Sequence, residues 1–160
     1  MITIYTDGSS RGNPGPGGWA GVILFPDSVI EVGGRESHTT NNRMELMGAI
    51  YSLKLVKSRS SIKNIEIYTD SQYVMKGITV WIKEWQVNNW KTASKKTVSN
   101  QDLWKELLVI VSNLSVDWKY VAGHSGHELN ERCDEIATSF ADNRAPLLYN
   151  GKRSDYGLAN

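Results

Sequence analysis

The sequence predicts an α/β domain in which helices flank a mixed five-stranded sheet, with three antiparallel strands first and parallel strands added later. Three strand-like runs follow one another near the N terminus, and helical and strand-like segments alternate after them. The tetrapeptide Ile-Tyr-Thr-Asp also occurs twice, at Ile4–Asp7 and Ile67–Asp70, and both copies finish a strand-like run. Two strands that end in the same way can set two carboxylates side by side at one edge of a sheet.

The first three strands are expected at Met1–Thr6, Trp19–Phe25 and about residues 28–37. Residues 13–18, rich in Gly and Pro, form a turn cluster between the first two, and Pro26-Asp27 makes a hairpin turn before the third. Because the strands follow one another in quick succession, we predict an antiparallel meander.

Helical periodicity begins after the meander. Apolar residues at helical spacing predict a helix from about Arg43 to Lys57, and Ile65–Thr69 is the next strand. The first and fourth strands should run parallel, because the connection between them is long and contains a helix. Ser71 can cap a further helix that runs from Gln72 toward Trp81, whereas residues 82–99 are polar, bear lysines and tryptophans, and lack clean periodicity.

The last third of the chain predicts a helix, a strand and a helix. A helical stripe begins at Leu103, Val116–Val121 is the fifth strand, and a second apolar stripe from Leu129 to Phe140 marks the last helix. The remaining residues are rich in Gly, Asn, Ser and Arg. We therefore predict one domain over residues 1–143 and an irregular tail over residues 144–160.

Size and composition indicate an ordinary globular protein. The chain has 160 residues, of which 40% are hydrophobic and 22% charged. No apolar run approaches the length of a membrane span, and the N terminus lacks the basic and apolar stretches of a signal peptide. The single cysteine, Cys133, cannot form an internal disulfide. We expect a monomeric cytoplasmic protein that does not associate with a membrane.

Charge is distributed unevenly, although the formal net charge is only +1. Residues 76–105 hold six lysines against two acids, whereas the rest of the chain is slightly acidic. A basic patch of this kind can bind a polyanion such as nucleic acid. A solvated lysine-rich surface explains the same residues, so charge alone does not decide between the two.

The repeated aspartates, Asp7 and Asp70, have two explanations. An Asp before Gly or Ser is common where a strand enters a turn. Two carboxylates held close together, however, repel each other unless a proton or a metal cation lies between them. Carboxylate oxygens are ligands that suit Mg²⁺ and Mn²⁺, so the pair is a first indication of a metal-dependent site.

Two further acids also have alternative explanations. Glu45 stands three residues after Asn42, which is the spacing of a capping box at the start of a helix. Asp134 lies one position off the apolar stripe of the last helix, where a solvated acid is the usual finding. Read in isolation, neither residue requires a functional role.

Several separate motifs occur in order along residues 1–141. They are Asp7-Gly8-Ser9, Asn13–Gly18, Thr39–Leu46, Tyr68–Val74, Trp90-Lys91-Thr92, Asn100–Trp104, Gly123–His127 and Asn130–Asp134. Together, in their order and spacing, they resemble ribonuclease H type 1 of the bacterial kind. The resemblance implies a ribonuclease H-like fold and an endonuclease that hydrolyses the RNA strand of RNA–DNA hybrids, as in the removal of RNA primers and R-loops.

The resemblance also implies two-metal catalysis. Asp7 would bridge two Mg²⁺ ions, with Mn²⁺ as an alternative, while Glu45 and Asp70 serve the metal that activates water and Asp134 serves the metal at the leaving oxygen. The products implied are a 5′-phosphate and a 3′-hydroxyl. His124 resembles the family's mobile histidine, which assists proton transfer and product departure. For His127 a structural hydrogen bond is expected.

By the same resemblance, separate residues contact the two strands of a hybrid. Asn and Gln side chains can both donate to and accept from a 2′-hydroxyl. The expected RNA-strand contacts are Asn13, Asn41, Asn42 and Gln72. The expected DNA-strand contacts are Thr40 and Asn100, which grip a phosphate, and Trp81 and Trp104, whose faces pack on deoxyribose.

Residues 81–99 resemble the family's basic protrusion, with lysines at Lys83, Lys91, Lys95 and Lys96. The tip, Lys83–Asn89, carries fewer basic residues than close relatives often do. Because phosphate contacts dominate affinity and its salt dependence, we expect weaker hybrid binding and a shallower salt slope. Trp85 and Trp90 in this segment are as consistent with core packing as with substrate contact.

Two other classes of function stay open. Another nuclease or a strand-transferring recombinase can use the same fold, because function lies in the site and not in the fold. A non-catalytic module that binds hybrids is the second alternative. It is disfavoured because all four acids are present.

Overall fold

The structure is a computed structural model that describes residues 1–123 and 126–158. Within these residues the strands are β1 (Ile2–Ser10), β2 (Gly15–Leu24), β3 (Ser28–Thr39), β4 (Asn64–Thr69), β5 (Ser115–Tyr120) and β6 (Asn150–Lys152). The helices are α1 (Asn41–Arg59), α2 (Gln72–Lys76), α3 (Ile82–Val87), α4 (Gln101–Val111) and α5 (Glu128–Ala141).

The strands form one mixed sheet in the order β5–β4–β1–β2–β3–β6. β2 pairs antiparallel with both β1 and β3. β4 pairs parallel with β1, and β5 pairs parallel with β4. The predicted antiparallel meander and the parallel pairing of the first and fourth strands are therefore confirmed.

The sheet has six strands where five were predicted, because the tail adds β6 to its edge. β6 pairs antiparallel with the start of β3, with Val29 opposite Gly151. A 3₁₀ turn at Arg153–Asp155 follows, and Tyr156 is 5% exposed. The prediction of an irregular tail is thus wrong for residues 150–155. Backbone pairing with a distant strand stabilises a segment whose own sequence has no periodicity.

Helices cover both faces of the sheet. Successive side chains of each strand point to opposite faces, so each strand contributes apolar residues to both. In β1, Ile2 and Ile4 belong to one core cluster with Leu53 of α1, whereas Tyr5 belongs to a second cluster with Cys133 of α5. Helices α1 and α4 therefore pack on one face and α5 packs on the other. Across residues 1–123 and 126–158, no helix is long and apolar enough to cross a bilayer.

Helix α1 begins at Asn41, two residues before the predicted start. Thr40 is its N-cap, and the Thr40 side-chain oxygen accepts a hydrogen bond from the backbone N–H of Arg43 at 3.3 Å. The capping-box explanation for Glu45 is therefore wrong. Asn42 lies inside the first turn, and Glu45 is 5% exposed in the next turn, where it is too far along the helix to cap it.

The segment after β4 stays helical further than predicted. As expected, Ser71 caps α2 by accepting a hydrogen bond from the backbone N–H three residues later. A π-helical turn, Gly77–Trp81, then joins α2 to α3. A Cβ at Gly77 would lie 2.1 Å from the ring of Trp104, so glycine allows this segment to approach α4 closely. Turns of this kind are frequent at functional sites.

Candidate active site

Two aspartates lie side by side because the repeated tetrapeptides pair in register. β1 and β4 run parallel with Tyr5 opposite Tyr68, and the same register two residues later sets Asp7 beside Asp70. Asp7 was predicted at a strand end. It lies instead within β1, because that strand continues in its pairing with β2.

Glu45 joins the two aspartates because β1 and α1 approach each other closely at Gly8. A Cβ at Gly8 would lie 2.3 Å from the backbone nitrogen of Glu45, so a larger residue would push the helix away. Carboxylate oxygens of Asp7, Glu45 and Asp70 all lie within 4.8 Å of one another. Asp7 and Glu45 are buried, and Asp70 is half-buried.

Burial raises the pKa of each of these three carboxyl groups, and neighbouring charges add to the effect. Burial, followed by the charge of Asp70, raises the pKa of Asp7 to about 8. Burial and the charge of Asp7 raise the pKa of Glu45 well above its ordinary value. Burial and the charge of Asp134 raise the pKa of Asp70. Without a cation, the cluster therefore retains protons toward neutral pH.

One oxygen of the cluster indicates what would complete it. Oε2 of Glu45 is buried and has no hydrogen-bond partner among the described residues. A buried polar atom without a partner is costly. A cation at the cluster would supply the missing partner and offset the repulsion between carboxylates. Since all donors are carboxylate oxygens, the residues present fit a divalent cation of the Mg²⁺ or Mn²⁺ type.

Asp134 approaches the site from α5. A Cβ at Gly18 would lie 2.1 Å from the carbonyl oxygen of Ala137, so glycine lets α5 pack tightly on β2. The Cys133 thiol donates a hydrogen bond to the carbonyl of Tyr5 at 3.2 Å. Asp134 lines the same cavity as the other acids, but it lies outside the 4.8 Å group.

Asn130 is a site residue that the sequence analysis did not single out. It lies on α5 one turn before Asp134 and is 2% exposed. Its side chain lies near the carboxylate of Asp70 and opposes the net rise in the pKa of Asp70. Its place in the Asn130–Asp134 motif was the available signal, and the contact ties α5 to the end of β4.

The four acids line a cavity of about 440 Å³. Three of the four residues expected to contact RNA line it too, namely Asn41, Asn42 and Gln72. Asn13 does not line this cavity and lies exposed between β1 and β2. A larger depression of about 520 Å³ at the β2–β3 turn includes one carboxylate, that of Asp27. The smaller cavity is therefore the one equipped to hold a cation.

Thr40 and Asn100, the expected phosphate grip, are joined through Arg43. The backbone N–H of Arg43 donates to Thr40, and its guanidinium donates to Oδ1 of Asn100 at 3.2 Å. The guanidinium also donates to both oxygens of Asp102, at 3.0 and 2.8 Å. Arg43 stands within the Thr39–Leu46 motif, yet the sequence analysis assigned it no role. Its guanidinium lies beside Asn100 and is paired with Asp102.

The prediction that Trp104 packs on deoxyribose is wrong. Trp104 is 0% exposed, because α4 buries it beneath the helical segment at Gly77. Its indole N–H donates to the hydroxyl of Tyr73 at 2.9 Å, and the same hydroxyl accepts from the Asn100 amide at 3.1 Å. Tyr73 also lines the acid cavity, so Trp104 supports that cavity from beneath. Trp81 is half-buried with its ring 6.0 Å from that of Tyr73.

The lysines expected in the basic protrusion are exposed. They are Lys83 on α3, and Lys91, Lys95 and Lys96 in the irregular segment that follows. Trp85 and Trp90 are half-buried with ring centroids 6.1 Å apart, and Lys105 of α4 lies 5.2 Å from the ring of Trp90. These two tryptophans mainly pack the base of the protrusion.

Of the two histidines in the predicted site region, His124 lies outside the described residues. His127 lies just before α5, with its Nε2 3.3 Å from the hydroxyl of Tyr5. This contact agrees with the structural hydrogen bond expected for His127.

Comparison with known proteins gives one consistent result. The family model described as RNase H matches residues 1–142. The chain is similar to Ribonuclease HI of Caulobacter vibrioides, with 53% identity over 136 residues that cover 85% of this chain and 89% of that protein. It is also similar to Ribonuclease H of a Cyanothece species, with 53% identity over 146 residues. These residues cover 91% of this chain and 92% of that protein.

A solved structure agrees with these relatives. It is that of LC9-RNase H1, described as a type 1 RNase H with the type 2 active-site motif. The TM-score is 0.83 at 28% identity, covering 93% of this chain and 76% of the other.

Proposed function

Because the chain belongs to the RNase H family, we propose that it is an endonuclease that hydrolyses the RNA strand of RNA–DNA hybrids. The observation that carries the proposal is the convergence of Asp7, Glu45 and Asp70 within 4.8 Å, in a cavity that Asp134 also lines. These acids come from β1, α1, the end of β4 and α5, so only the folded chain assembles them.

The four acids are the residues that would hold two Mg²⁺ ions. Asp7 would be a ligand shared by both ions, Glu45 and Asp70 would hold the ion that serves the attacking water, and Asp134 would hold the other. When bound, the ions supply the positive charge that stabilises the attacking and leaving oxygens of the phosphodiester. The raised pKa values of the clustered acids mean that protons must leave as the cation enters.

The RNA strand is the strand placed against the acids. Asn41, Asn42 and Gln72 line the same cavity as the carboxylates, and their amides can donate to and accept from a 2′-hydroxyl. The strand that is read by its 2′-hydroxyls is therefore the strand whose phosphate lies at the metal site. Asn13, in the exposed turn before β2, is the proposed contact further along that strand.

The DNA strand is the proposed partner of the second group. The Thr40 hydroxyl and the Asn100 amide can donate hydrogen bonds to a phosphate, and the guanidinium of Arg43 holds Asn100 in place. Trp81 offers a half-buried ring to a deoxyribose, where a 2′-hydroxyl would clash. Trp104 acts indirectly, since it supports Tyr73 and through it Asn100.

Proton transfer is proposed for His124, by the resemblance of its motif. The ordinary pKa range of a histidine side chain suits a group that takes up and releases a proton. The products expected are a 5′-phosphate and a 3′-hydroxyl.

The test uses end-labelled RNA–DNA hybrid, duplex DNA, duplex RNA and single strands, each with Mg²⁺ and with a chelator. We expect internal cleavage of the RNA strand in the hybrid with Mg²⁺, and no cleavage with the chelator. Cleavage of duplex DNA would favour another nuclease of the same fold. Tight binding of the hybrid without cleavage would favour a binding module.

A further inference from the structure

The tail supplies hydrogen bonds to an ion pair formed by α5, the helix that carries Asp134. The match to the family model ends at residue 142, so residues 144–158 lie beyond it. Glu31 of β3 has a side chain only 2% exposed, and a buried carboxylate is costly unless its oxygens are hydrogen-bonded. The oxygens of Glu31 therefore need hydrogen-bond donors.

Four donors satisfy Glu31, and two of them come from the tail. Arg132 of α5 donates from Nε to Oε2 and from Nη2 to Oε1, both at 2.8 Å. The backbone N–H of Tyr149 donates to Oε1 at 2.9 Å, and the hydroxyl of Tyr156 donates to Oε2 at 2.7 Å. Without the tail, half of the donors to this buried charge would be missing.

The tail also holds Arg132 directly. Nη2 of Arg132 donates to the carbonyl of Leu147 at 2.9 Å, in addition to its bond with Glu31. The tail itself is anchored along the sheet, since the N–H of Glu31 donates to the carbonyl of Tyr149, and the N–H of Arg153 donates to that of Asp27. Arg132 is therefore clamped between a strand and a segment that the strand holds in place.

Arg132 precedes Asp134 by two residues on α5. His127, the N-cap residue of α5, makes no side-chain capping hydrogen bond, so the start of this helix depends on tertiary contacts. Asp134 is also the acid that lies outside the tight group of three. A small rotation or shift of α5 would change the reach of Asp134 to the metal more than that of any acid on the strands.

We propose that residues 144–158 form a strap which, through Tyr156, Glu31 and Arg132, positions α5 so that Asp134 reaches the metal site. Arg132 and Tyr156 are positioning residues, because neither touches the cavity that the acids line. The inference rests on the proposed metal site. The metal site would then depend on a segment that lies outside the match to the family model.

The test compares two tail variants that each lose one phenolic hydroxyl. Tyr156→Phe removes the donor to Glu31. Tyr149→Phe is the matched control, because it removes a hydroxyl that bonds the carbonyl of Lys152 and keeps the backbone N–H that serves Glu31. Arg132→Lys is a stronger variant, since it keeps the charge but loses the paired geometry.

Two quantities are measured on the full-length proteins. The first is Mn²⁺ affinity without substrate, by calorimetry, and the second is the Mg²⁺ concentration that gives half-maximal cleavage. Groups hydrogen-bonded directly to metal ligands are worth about 10-fold to 100-fold in metal affinity, and Arg132 and Tyr156 act one step further out, so the low end of this range applies. We expect about 10-fold weaker binding in Arg132→Lys, about 3-fold weaker binding in Tyr156→Phe, and wild-type values in Tyr149→Phe.

A further pair of variants tests whether the effect passes through Asp134. In an Asp134→Asn background, Tyr156→Phe should weaken Mn²⁺ binding no further. The strap inference is overturned if Tyr156→Phe and Arg132→Lys lower only the melting temperature, or if the loss of affinity persists in the Asp134→Asn background. A wild-type protein that neither binds Mn²⁺ nor cleaves would count against the proposed function instead.

Discussion

Tyr5 and Tyr68 stack face to face across the β1–β4 pair, with ring centroids 4.7 Å apart and ring planes 7° from parallel. The stack exists because the two Ile-Tyr-Thr-Asp copies pair in parallel register. Residues two apart on a strand share a face, so the same register sets Asp7 beside Asp70. One short repeat thus specifies both a packing contact and the centre of the candidate active site.

Replacing Asp7 should stabilise the metal-free protein at high pH. The pKa of Asp7 is about 8 in the folded state and near 4 in an unfolded chain, so ionisation of Asp7 reduces stability as pH rises between these values. Each pKa unit corresponds to about 1.4 kcal/mol. We expect Asp7→Asn to raise the free energy of unfolding in urea with a chelator by more than about 1 kcal/mol at roughly pH 9, and by little near pH 4.

The control for this prediction is Asp117→Asn, which changes an exposed aspartate on β5. It should alter stability by less than about 0.5 kcal/mol at either pH. If the free energy of unfolding rose equally in both variants, or if Asp7→Asn raised it most at acidic pH, ionisation of Asp7 would not be the cause of the effect.

Glu31→Gln should destabilise the protein by about 3 kcal/mol at neutral pH, because it removes the buried ion partner of the half-buried Arg132 and leaves that residue only the exposed Glu135. Burial is the largest single influence on Glu31 and raises its pKa, but hydrogen bonds from Arg132, Tyr156 and Tyr149 together lower it. The ionised Glu31 therefore contributes stability above its ordinary pKa, and this contribution is lost as pH falls through the lowered value.

Urea unfolding at several pH values measures this difference, which should shrink as the pH falls below the ordinary range of a glutamate carboxyl group. Glu135→Gln is the matched control, since Glu135 also pairs with Arg132 but its side chain is 66% exposed. Exposed pairs contribute at most about 1 kcal/mol. If both variants lowered the free energy of unfolding equally, burial of Glu31 would not explain its contribution to stability.

Trp81→Ala should weaken binding of the hybrid by about 10-fold, near the low end of the about 1–3 kcal/mol that an aromatic ring contributes when a base stacks on it, because this ring is proposed to pack on a sugar. It should also bring the affinities for hybrid and for duplex RNA closer together, because the ring is proposed to face the strand that must lack a 2′-hydroxyl. Affinity is measured in Ca²⁺ to prevent cleavage. Trp118→Ala, at a half-buried position on β5, is the control and should leave the ratio unchanged.

The exposed lysines after α3 should set part of the salt dependence of binding. Each phosphate contact contributes about 0.9 to the slope of log affinity against log salt concentration on B-form DNA. The double variant Lys95→Gln/Lys96→Gln should therefore reduce the slope by about 1–2. Lys63→Gln should not change the slope, because Lys63 directly precedes β4 and so lies at the end of that strand opposite Asp70. An unchanged slope in the double variant would remove these lysines from the interface.

Much of the fold could be predicted from local patterns. The strands of the meander and helices α1, α4 and α5 are marked by periodicity and turn residues, and the four acids by the repeat and by a resemblance spread over several motifs. β6 could not be predicted in this way, because its pairing with β3 joins residues 28–30 to residues 150–152. A partner so distant leaves no local pattern.

The interior of the site was harder to predict than its acids. Trp104 was expected at the surface because a motif marks its position but does not show which side of α4 is buried. Arg43 and Tyr73 were overlooked since their roles consist of hydrogen bonds between elements that are far apart in sequence. Sequence patterns identified the clustered acids better than the residues that hold the site in place.

The most direct test of the central claim is the rate of hybrid cleavage in saturating Mg²⁺ by Asp7→Asn, measured beside Asp117→Asn. In other enzymes, loss of one hydrogen-bond donor that stabilises the transition state lowers the rate by about 100-fold to 1,000-fold. Asp7 is the proposed ligand of both ions, so a loss at least this large is expected. We expect Asp7→Asn to lose more than about 1,000-fold in rate while folding normally, and Asp117→Asn to keep the wild-type rate. Cleavage by folded Asp7→Asn at the wild-type rate would contradict a metal centre built on the clustered acids.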